Sequence, residues 1–220
     1  MSAMARRPTL SRDAVVARAV AFADRVGLDS LTMRSLAADL GVVPMALYKH
    51  VANRDDLIGA MIDAVVASYS SPTPGAVGKV AVRELVLRAR DEALAHPWLP
   101  RAIEQHPAPT LAVLGHMDAV SGAFLADGLS IGLVHHAMHA LGHRIWGYSP
   151  EAFDDRSAFP TTADAATMRT LAERYPHVIA IASAAAGGCN TDSEFEFTLD
   201  LLLEGIEQLH QRGWEPSEPY

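Results

Sequence analysis

The apolar residues of this 220-residue chain recur at intervals of three and four, and runs that alternate every second residue are scarce. A spacing of three and four places side chains on one face of an α-helix, whereas a half-buried strand needs a spacing of two. Because 50% of the residues are hydrophobic and 20% are charged, the chain is typical of globular proteins with a core of their own. We therefore predict an all-α fold.

The first 69 residues hold four predicted helices with recognisable ends. Side chains that accept a hydrogen bond from the first turn precede three of these helices, and glycine follows two of them. The caps are Ser11, Thr32 and Asn53, and the stops are Gly27 and Gly41. Pro44 suits the first position of the third helix, predicted to extend to His50, because that position needs no N–H donor. The apolar face of the fourth helix ends at Tyr69.

Residues 70–78 read Ser-Ser-Pro-Thr-Pro-Gly-Ala-Val-Gly, which is typical of a linker. We predict two domains, residues 8–69 and residues 79–213. Helices in the second domain are predicted at residues 80–95, 97–104, 110–126, 131–146, 165–174, 177–186 and 194–212, with a loop at residues 149–163.

Charge is distributed unevenly along the chain, whose net charge is −8. Residues 1–66 hold eight basic and seven acidic residues, whereas residues 67–220 hold ten basic and nineteen acidic residues. Positive potential that could meet phosphate is therefore confined to the first third.

Several classes of protein are disfavoured. A single cysteine, Cys189, cannot form an internal disulfide, which fits a reducing compartment. The first ten residues lack the apolar stretch of a signal peptide, and no apolar run approaches the roughly 20 residues that span a bilayer. We expect a cytoplasmic protein with no membrane partner.

Two short helices joined by a glycine turn, after a longer supporting helix, are the pattern of a helix-turn-helix unit. In such units the second short helix enters the DNA major groove. Here that helix presents Met45, Tyr48, Lys49 and His50 on its outer face. A hydroxyl and two potential cations there can reach phosphate oxygens.

The sequence around this unit resembles the tetracycline-repressor (TetR) family. The resemblance runs through LTMRSLAADLGV at residues 31–42, ALYKHV at residues 46–51 and NRDDL at residues 53–57, and more weakly through residues 195–206. It implies a transcriptional regulator, usually a repressor, that binds a palindromic double-stranded operator as a homodimer. Release by a small-molecule effector is also implied.

The resemblance assigns eight residues to DNA. They are Thr32, Arg34, Pro44, Met45, Tyr48, Lys49, His50 and Arg54. Arg34 falls where some members read a base, and Arg54 falls where a basic residue often meets phosphate. Pro44 and Met45 replace polar residues of the tetracycline repressor, so we expect a different operator, with Met45 touching a thymine methyl group.

Structural interpretations of these residues remain open. Taken singly, Tyr48 also fits a half-buried aromatic side chain, and Lys49 and Arg54 fit solvated cations. The apolar members of the unit are better interpreted as core, and we assign no DNA contact to Leu36, Ala37, Leu40, Leu47 and Val51.

An effector site in an all-helical regulator would be an apolar cavity with a few orienting polar groups. The predicted lining is Trp98, His106, Met117, Phe124, His139, His143 and Trp146. Each of these residues also fits an ordinary core position. No cofactor is expected.

Two motifs suggest enzymes instead. Helical spacing puts His135, His139 and His143 on one stripe, which allows metal ligation, but no glutamate accompanies them as in His-Glu-x-x-His. Residues 128–132 match Gly-x-Ser-x-Gly, yet a hydrolase elbow needs a strand before its serine. We expect Ser130 to cap a helix, and we predict neither a metal site nor an enzyme.

The family resemblance further suggests dimerisation through the helices at residues 131–146 and 194–212, with the helix after Asn53 as the lever between ligand and DNA. A dimeric interaction protein with a vestigial helix-turn-helix is a third interpretation.

Overall fold

The computed structural model describes residues 10–69, 71–146, 165–177, 179–180 and 191–217, and its regular elements there are all helical. This confirms the all-α prediction. The helices are α1 Arg12–Val26, α2 Met33–Leu40, α3 Pro44–Leu47, α4 Arg54–Tyr69, α5 Gly78–Ala95, α6 Leu99–Gln105, α7 Leu111–Ala126, α8 Ile131–Trp146, α9 Ala165–Arg174 and α10 Thr191–Gln211. The predicted loop at residues 149–163, most of the predicted helix at residues 177–186 and Cys189 lie outside the described residues.

The predicted caps are confirmed. Ser11 Oγ accepts a backbone N–H of α1 at 3.1 Å, and Asn53 Oδ1 accepts one from α4 at 2.8 Å. Thr32 Oγ1 accepts the Ser35 N–H at 3.0 Å while Ser35 Oγ accepts the Thr32 N–H at 2.9 Å, so α2 begins with a reciprocal capping box. Gly41 ends α2 at a φ of 66°, a left-handed conformation that glycine adopts without strain.

The third helix is shorter than predicted. It ends at Leu47 rather than at His50. The Leu47 carbonyl accepts the N–H groups of both His50, at 2.8 Å, and Val51, at 3.0 Å. This tight turn replaces the second helical turn and leads the chain towards α4. Helix α6 also begins two residues later than predicted, at Leu99.

One core holds α1 to α4 together. Its fully buried side chains include Leu31, Leu36, Leu47, Leu57, Met61 and Ile62. Leu36, Ala37, Leu47 and Val51 are buried as predicted and fix α2 against α3, while Leu40 is only partly buried. Trp98, Leu99 and Ala102 belong to the same core, so packing crosses the predicted boundary after Tyr69.

A second core joins α5, α7, α8 and α10 around Leu85, Phe124, Leu141, Leu199 and Leu203. Ion pairs hold the acidic face of α10 against α5: Lys79 lies 2.8 and 2.7 Å from Glu204 and Glu207, and Arg83 lies 2.7 and 2.6 Å from Glu196 and Asp200. Phe197 and Leu201, on the same helix, stay 65% and 62% exposed.

Polar contacts also connect α1 and α4 to the part of the chain that follows Tyr69. Asp24 of α1 accepts hydrogen bonds from His96 Nδ1 at 2.7 Å and from Trp98 Nε1 at 2.6 Å. Asp63 of α4 accepts the Ala112 N–H at 3.0 Å, in the first turn of α7, where a negative charge is favourable. The helix-turn-helix unit is thus tied to the larger region through both α1 and α4. Among the described helices, none is long and apolar enough to cross a bilayer.

Candidate DNA interface and ligand cavity

The predicted DNA-contacting side chains lie at the surface of α2, α3 and the turn after α3. Met45 is 70% exposed and Tyr48 is 45% exposed. Arg34, Lys49 and Pro44 are also exposed. Since the opposite faces of α2 and α3 carry the core residues, the exposed side chains are free to meet a partner of the right shape.

The cations of this region divide into two groups. Within residues 10–66, side chains of the first group are engaged inside the protein: Arg12 pairs with Asp56, Arg18 and Arg25 pair with Asp39, and Arg54 donates to backbone carbonyls. The second group is Arg34 and Lys49, for which the described residues provide no hydrogen bond or ion pair. The two cations left over are both predicted DNA contacts.

Arg12 fixes the turn that follows α3. Its guanidinium donates to the His50 carbonyl at 2.7 Å and to the Asp56 carboxylate at 2.7 Å. That hydrogen bond, with a second from the Ala52 N–H, lowers the pKa of Asp56 below its ordinary value. The carboxylate therefore stays ionised, and α3 is held to α1 and α4.

Thr32 and Arg54 have structural contacts besides their predicted roles. The Thr32 hydroxyl caps α2. Arg54 Nε donates to the Leu31 carbonyl at 3.0 Å, and its Nη2 donates to the Leu28 carbonyl at 3.3 Å. Arg54 thereby ties the start of α4 to the segment before α2.

A cavity of about 740 Å³ lies between α4, α5, α7, α8 and the segment joining α6 to α7. Of the predicted lining residues, His106, Met117 and His139 lie on its wall. Trp98 and Phe124 do not: Trp98 is packed into the first core against Asp24, and Phe124 is buried in the second core. The side chains of His143 and Trp146 lie outside the described part of the chain.

Two buried polar side chains in the cavity wall are not among the predicted lining residues. Tyr69, at the end of α4, is 3% exposed, and His116 of α7 is 6% exposed. Their rings meet edge to face with centroids 5.1 Å apart. Tyr69 Oη and His116 Nδ1 are buried without a hydrogen-bond partner among the described residues. A buried polar atom without a partner is destabilising, so such atoms are uncommon.

Burial keeps both groups uncharged. It lowers the pKa of His116 to about 4, and together with the nearby Glu92 carboxylate it raises the pKa of Tyr69 well above its ordinary value. At neutral pH the pair therefore offers a phenol and a neutral imidazole. The sequence signal for His116 is its position on the apolar stripe Val113, His116, Val120 and Phe124 of α7.

His106 lies between the cavity and α4. Its Nδ1 donates to the Ala108 carbonyl at 2.6 Å. A Cβ atom built on Gly59 of α4 would lie 3.0 Å from His106 Nε2, which shows how closely the imidazole approaches this helix. His106 Nδ1 thus has a protein partner, and Nε2 lies beside Gly59.

The motifs that suggested enzymes have other surroundings. His135 and His139 are exposed on α8 with ring centroids 4.7 Å apart, and no three side chains in the described ranges are placed to share a metal ion. Ser130 Oγ accepts the Leu133 N–H at 3.3 Å. Since helix α7 precedes it, Ser130 is a helix cap, as predicted, rather than the serine of a strand-to-helix elbow.

Comparison with known proteins identifies the family. The domain described as "Tetracyclin repressor-like, C-terminal domain" matches residues 79–210. The HTH-type transcriptional repressor DrrR1 of Streptomyces coeruleorubidus is 30% identical over 234 residues, which cover 97% of this chain and 83% of that protein. The chain belongs to the TetR family.

Solved TetR-family structures agree with this fold. A TetR regulator from Streptomyces coelicolor is 28% identical with a TM-score of 0.72, over 91% of this chain and 99% of that chain. The S. coelicolor TetR family protein ActR, in complex with actinorhodin, is 26% identical with a TM-score of 0.67, over 90% of this chain and 97% of that chain. The protein is thus a DNA-binding transcriptional regulator of the TetR family.

Proposed function

We propose that this regulator is a cytoplasmic repressor that binds a palindromic double-stranded operator as a homodimer and leaves it when a small molecule fills the cavity. The observation that carries the proposal is the pair of unengaged cations, Arg34 and Lys49, beside the exposed face of α3. Two relatives support it: DrrR1 is named a repressor, and ActR has been solved with actinorhodin.

The DNA contacts have two kinds of role in this proposal. Five side chains meet the phosphate backbone and position α3, which adds affinity without sequence preference; they are Thr32, Tyr48, Lys49, His50 and Arg54. Arg34 hydrogen-bonds a base edge, and Met45 with Pro44 packs against the groove floor, where a thymine methyl group is a matching contact.

Helix α4 carries the ligand signal. Tyr69 places the end of α4 in the cavity wall, and His106 packs on Gly59 near its middle. Asp63 binds the start of α7. A ligand that fits the cavity better in one position of α7 than in another shifts α4 with it, and so shifts the population of DNA-competent dimers.

The homodimer is proposed to form through α8 and α10, whose exposed apolar side chains include Ile131, Phe197 and Leu201. A two-fold axis between these helices sets the two copies of α3 about 34 Å apart, or a multiple of one DNA turn, and so requires a palindromic site. Since Ser130 serves as a cap and the described residues form no metal site, we propose no catalytic role.

Fluorescence anisotropy on the DNA that flanks the gene, against a scrambled duplex at two salt concentrations, tests the proposal. We expect sequence-selective binding that weakens steeply with salt. The Lys49→Ala variant should bind every duplex more weakly and reduce the slope of log affinity against log salt by about one. Arg169→Ala is the matched control, because Arg169 is an exposed cation of α9, outside the proposed DNA and dimer interfaces.

If the flanking DNA shows no preference over the scrambled duplex, genomic fragments are selected for binding to the protein. Failure of every selected fragment to bind more tightly than scrambled DNA would overturn the repressor proposal. Identical salt slopes for Lys49→Ala and Arg169→Ala would overturn the assigned DNA interface instead.

A further inference from the structure

Tyr69 and His116 are a buried polar pair in an otherwise mostly apolar cavity wall. Tyr69 Oη and His116 Nδ1 are buried and lack hydrogen-bond partners among the described residues, while most of the remaining lining is aliphatic: Val66, Val86, Ile103, Val113, Val120 and Val134 are among its members. Two polar atoms in such a wall destabilise the empty protein, because burial strips them of water without supplying another partner. A bound molecule that supplies a hydrogen-bond partner relieves this cost.

The charge of the lining limits what that molecule can be. Among the described residues that line the cavity there are a carboxylate, Glu104, and neither lysine nor arginine; its histidines are His106, His116, His135 and His139. A buried anion needs a cation or several donors to replace its hydration, and no lysine or arginine of this lining stands beside Tyr69 and His116 to do so. An uncharged guest has no such requirement.

The hydrogen-bonding capacity of the pair defines the guest further. A phenol both donates and accepts, and a neutral imidazole nitrogen does one or the other according to its tautomer. A hydroxyl group on the guest can donate to His116 Nδ1 in one tautomer and accept from it in the other. A carbonyl group on the guest can accept a hydrogen bond from the Tyr69 hydroxyl group. Both groups remain neutral at physiological pH.

We propose that the effector is an uncharged, largely apolar molecule whose hydroxyl or carbonyl groups hydrogen-bond Tyr69 Oη and His116 Nδ1. The proposal rests on the proposed function, since it defines the chemistry of the molecule that fills the cavity. The volume of about 740 Å³ lies within the range of sites that enclose drug-sized ligands.

The first test needs no ligand. Tyr69→Phe and His116→Leu each remove an unpartnered polar atom, so we expect the thermal midpoint of the ligand-free protein to stay the same or to rise. The matched control is Trp98→Phe, which removes a buried N–H that is bonded to Asp24 at 2.6 Å and should lower the midpoint. A drop for Tyr69→Phe and His116→Leu as large as the drop for Trp98→Phe would show that their polar atoms have structural partners, and would overturn the proposal.

The second test uses three bicyclic aromatic probes of similar size, at pH 7.4. They are naphthalene, 2-naphthol and 2-naphthoate, which carry no polar group, a neutral hydroxyl group and a carboxylate, respectively. Binding is measured by calorimetry. We expect 2-naphthol to bind at least tenfold more tightly than naphthalene, and 2-naphthoate to bind at least tenfold more weakly than 2-naphthol. In the double variant Tyr69→Phe, His116→Leu the advantage of the hydroxyl group should disappear.

Each result has a defined meaning. Preference for the carboxylate, an unchanged hydroxyl preference in the double variant, or binding of none of the three probes would overturn the proposed ligand class. Operator binding of the wild-type protein is measured in the same samples before any probe is added. Its absence would count against the repressor proposal, whereas its presence with the wrong probe preference would count against the ligand chemistry alone.

Discussion

The helix-turn-helix region and the cavity region use polar groups in opposite ways. Around α2 and α3 the core side chains are apolar, and the polar groups that await a partner, Arg34 and Lys49, lie outside. Around α7 the arrangement is reversed. His116 and the hydroxyl group of Tyr69 are buried, and both side chains line a cavity.

This difference corresponds to two kinds of partner. DNA is larger than the protein surface that reads it, so its contacts must project outward, and the cost of leaving them solvated is small. A small effector must be enclosed to be recognised, so its contacts are buried before it arrives and destabilise the empty protein. The first region is therefore built for stability, and the second gives up part of it.

Leu47→Ala tests whether the two regions are separable. Leu47 is fully buried beneath α3, so we expect its truncation to lower the free energy of unfolding by about 2–5 kcal/mol and to weaken operator binding as well. Leu203→Ala, at an equally buried site in the second core, should cost a similar amount while affecting DNA less. Urea denaturation and anisotropy report the two effects, and equal loss of operator affinity in both variants would contradict the separation.

His116 should make stability depend on pH. Its folded-state pKa of about 4 is below its unfolded value of about 6.5. The unfolded chain therefore binds more protons between these values, and stability is lost as the pH falls from 6.5 to 4. The loss is on the order of 3 kcal/mol. Urea denaturation of wild type and His116→Leu at several pH values checks this, since the difference between their curves isolates His116. Parallel curves would refute the neutral buried imidazole.

Arg34→Ala should act on specificity rather than on the fold. Because Arg34 is exposed and unengaged, its removal should leave the free energy of unfolding unchanged while relaxing discrimination at particular base pairs by about 1–3 kcal/mol. Competition binding against single-base operator variants measures the effect. A uniform loss of affinity across all operator variants would show that Arg34 contacts the DNA backbone rather than a base.

Gly59→Ala should have the smallest effect and concerns the junction of the two regions. Alanine in place of a helical glycine normally stabilises by about 1 kcal/mol, and Gly115→Ala should do so because no atom lies within 4 Å of the added Cβ. At Gly59 the Cβ would press on His106 Nε2 at 3.0 Å, so we expect little or no gain. The free energy of unfolding of both variants is measured by urea denaturation. An equal increase for Gly59→Ala and Gly115→Ala would mean that His106 moves aside at no cost and is not coupled to α4.

The same contrast explains what the sequence predicts. The helix-turn-helix follows from local signals: Thr32 caps α2, Gly41 ends it and Pro44 begins α3, and the structure shows all three. The early end of α3 does not follow, because the double acceptance by the Leu47 carbonyl depends on where α4 begins.

The cavity depends on contacts between residues far apart in the chain. Tyr69 sits at the apolar end of α4, and only the crossing of α7 over that end brings His116 against it. Trp98 looks like a pocket residue by composition, but the bond to Asp24 draws it into the other core. The spacing of apolar residues predicts which face of a helix is buried. It does not predict which of the buried faces surround a cavity.

Phe197 and Leu201 lie one turn apart on α10 and remain largely exposed in the single chain. If two copies cover these side chains, their burial belongs to the pair, so dilution removes the stabilisation that it provides. The melting temperature of the wild-type protein should then rise with its concentration, and that of Leu201→Glu should not. Measurements made at nanomolar and at micromolar protein would consequently describe two different stabilities.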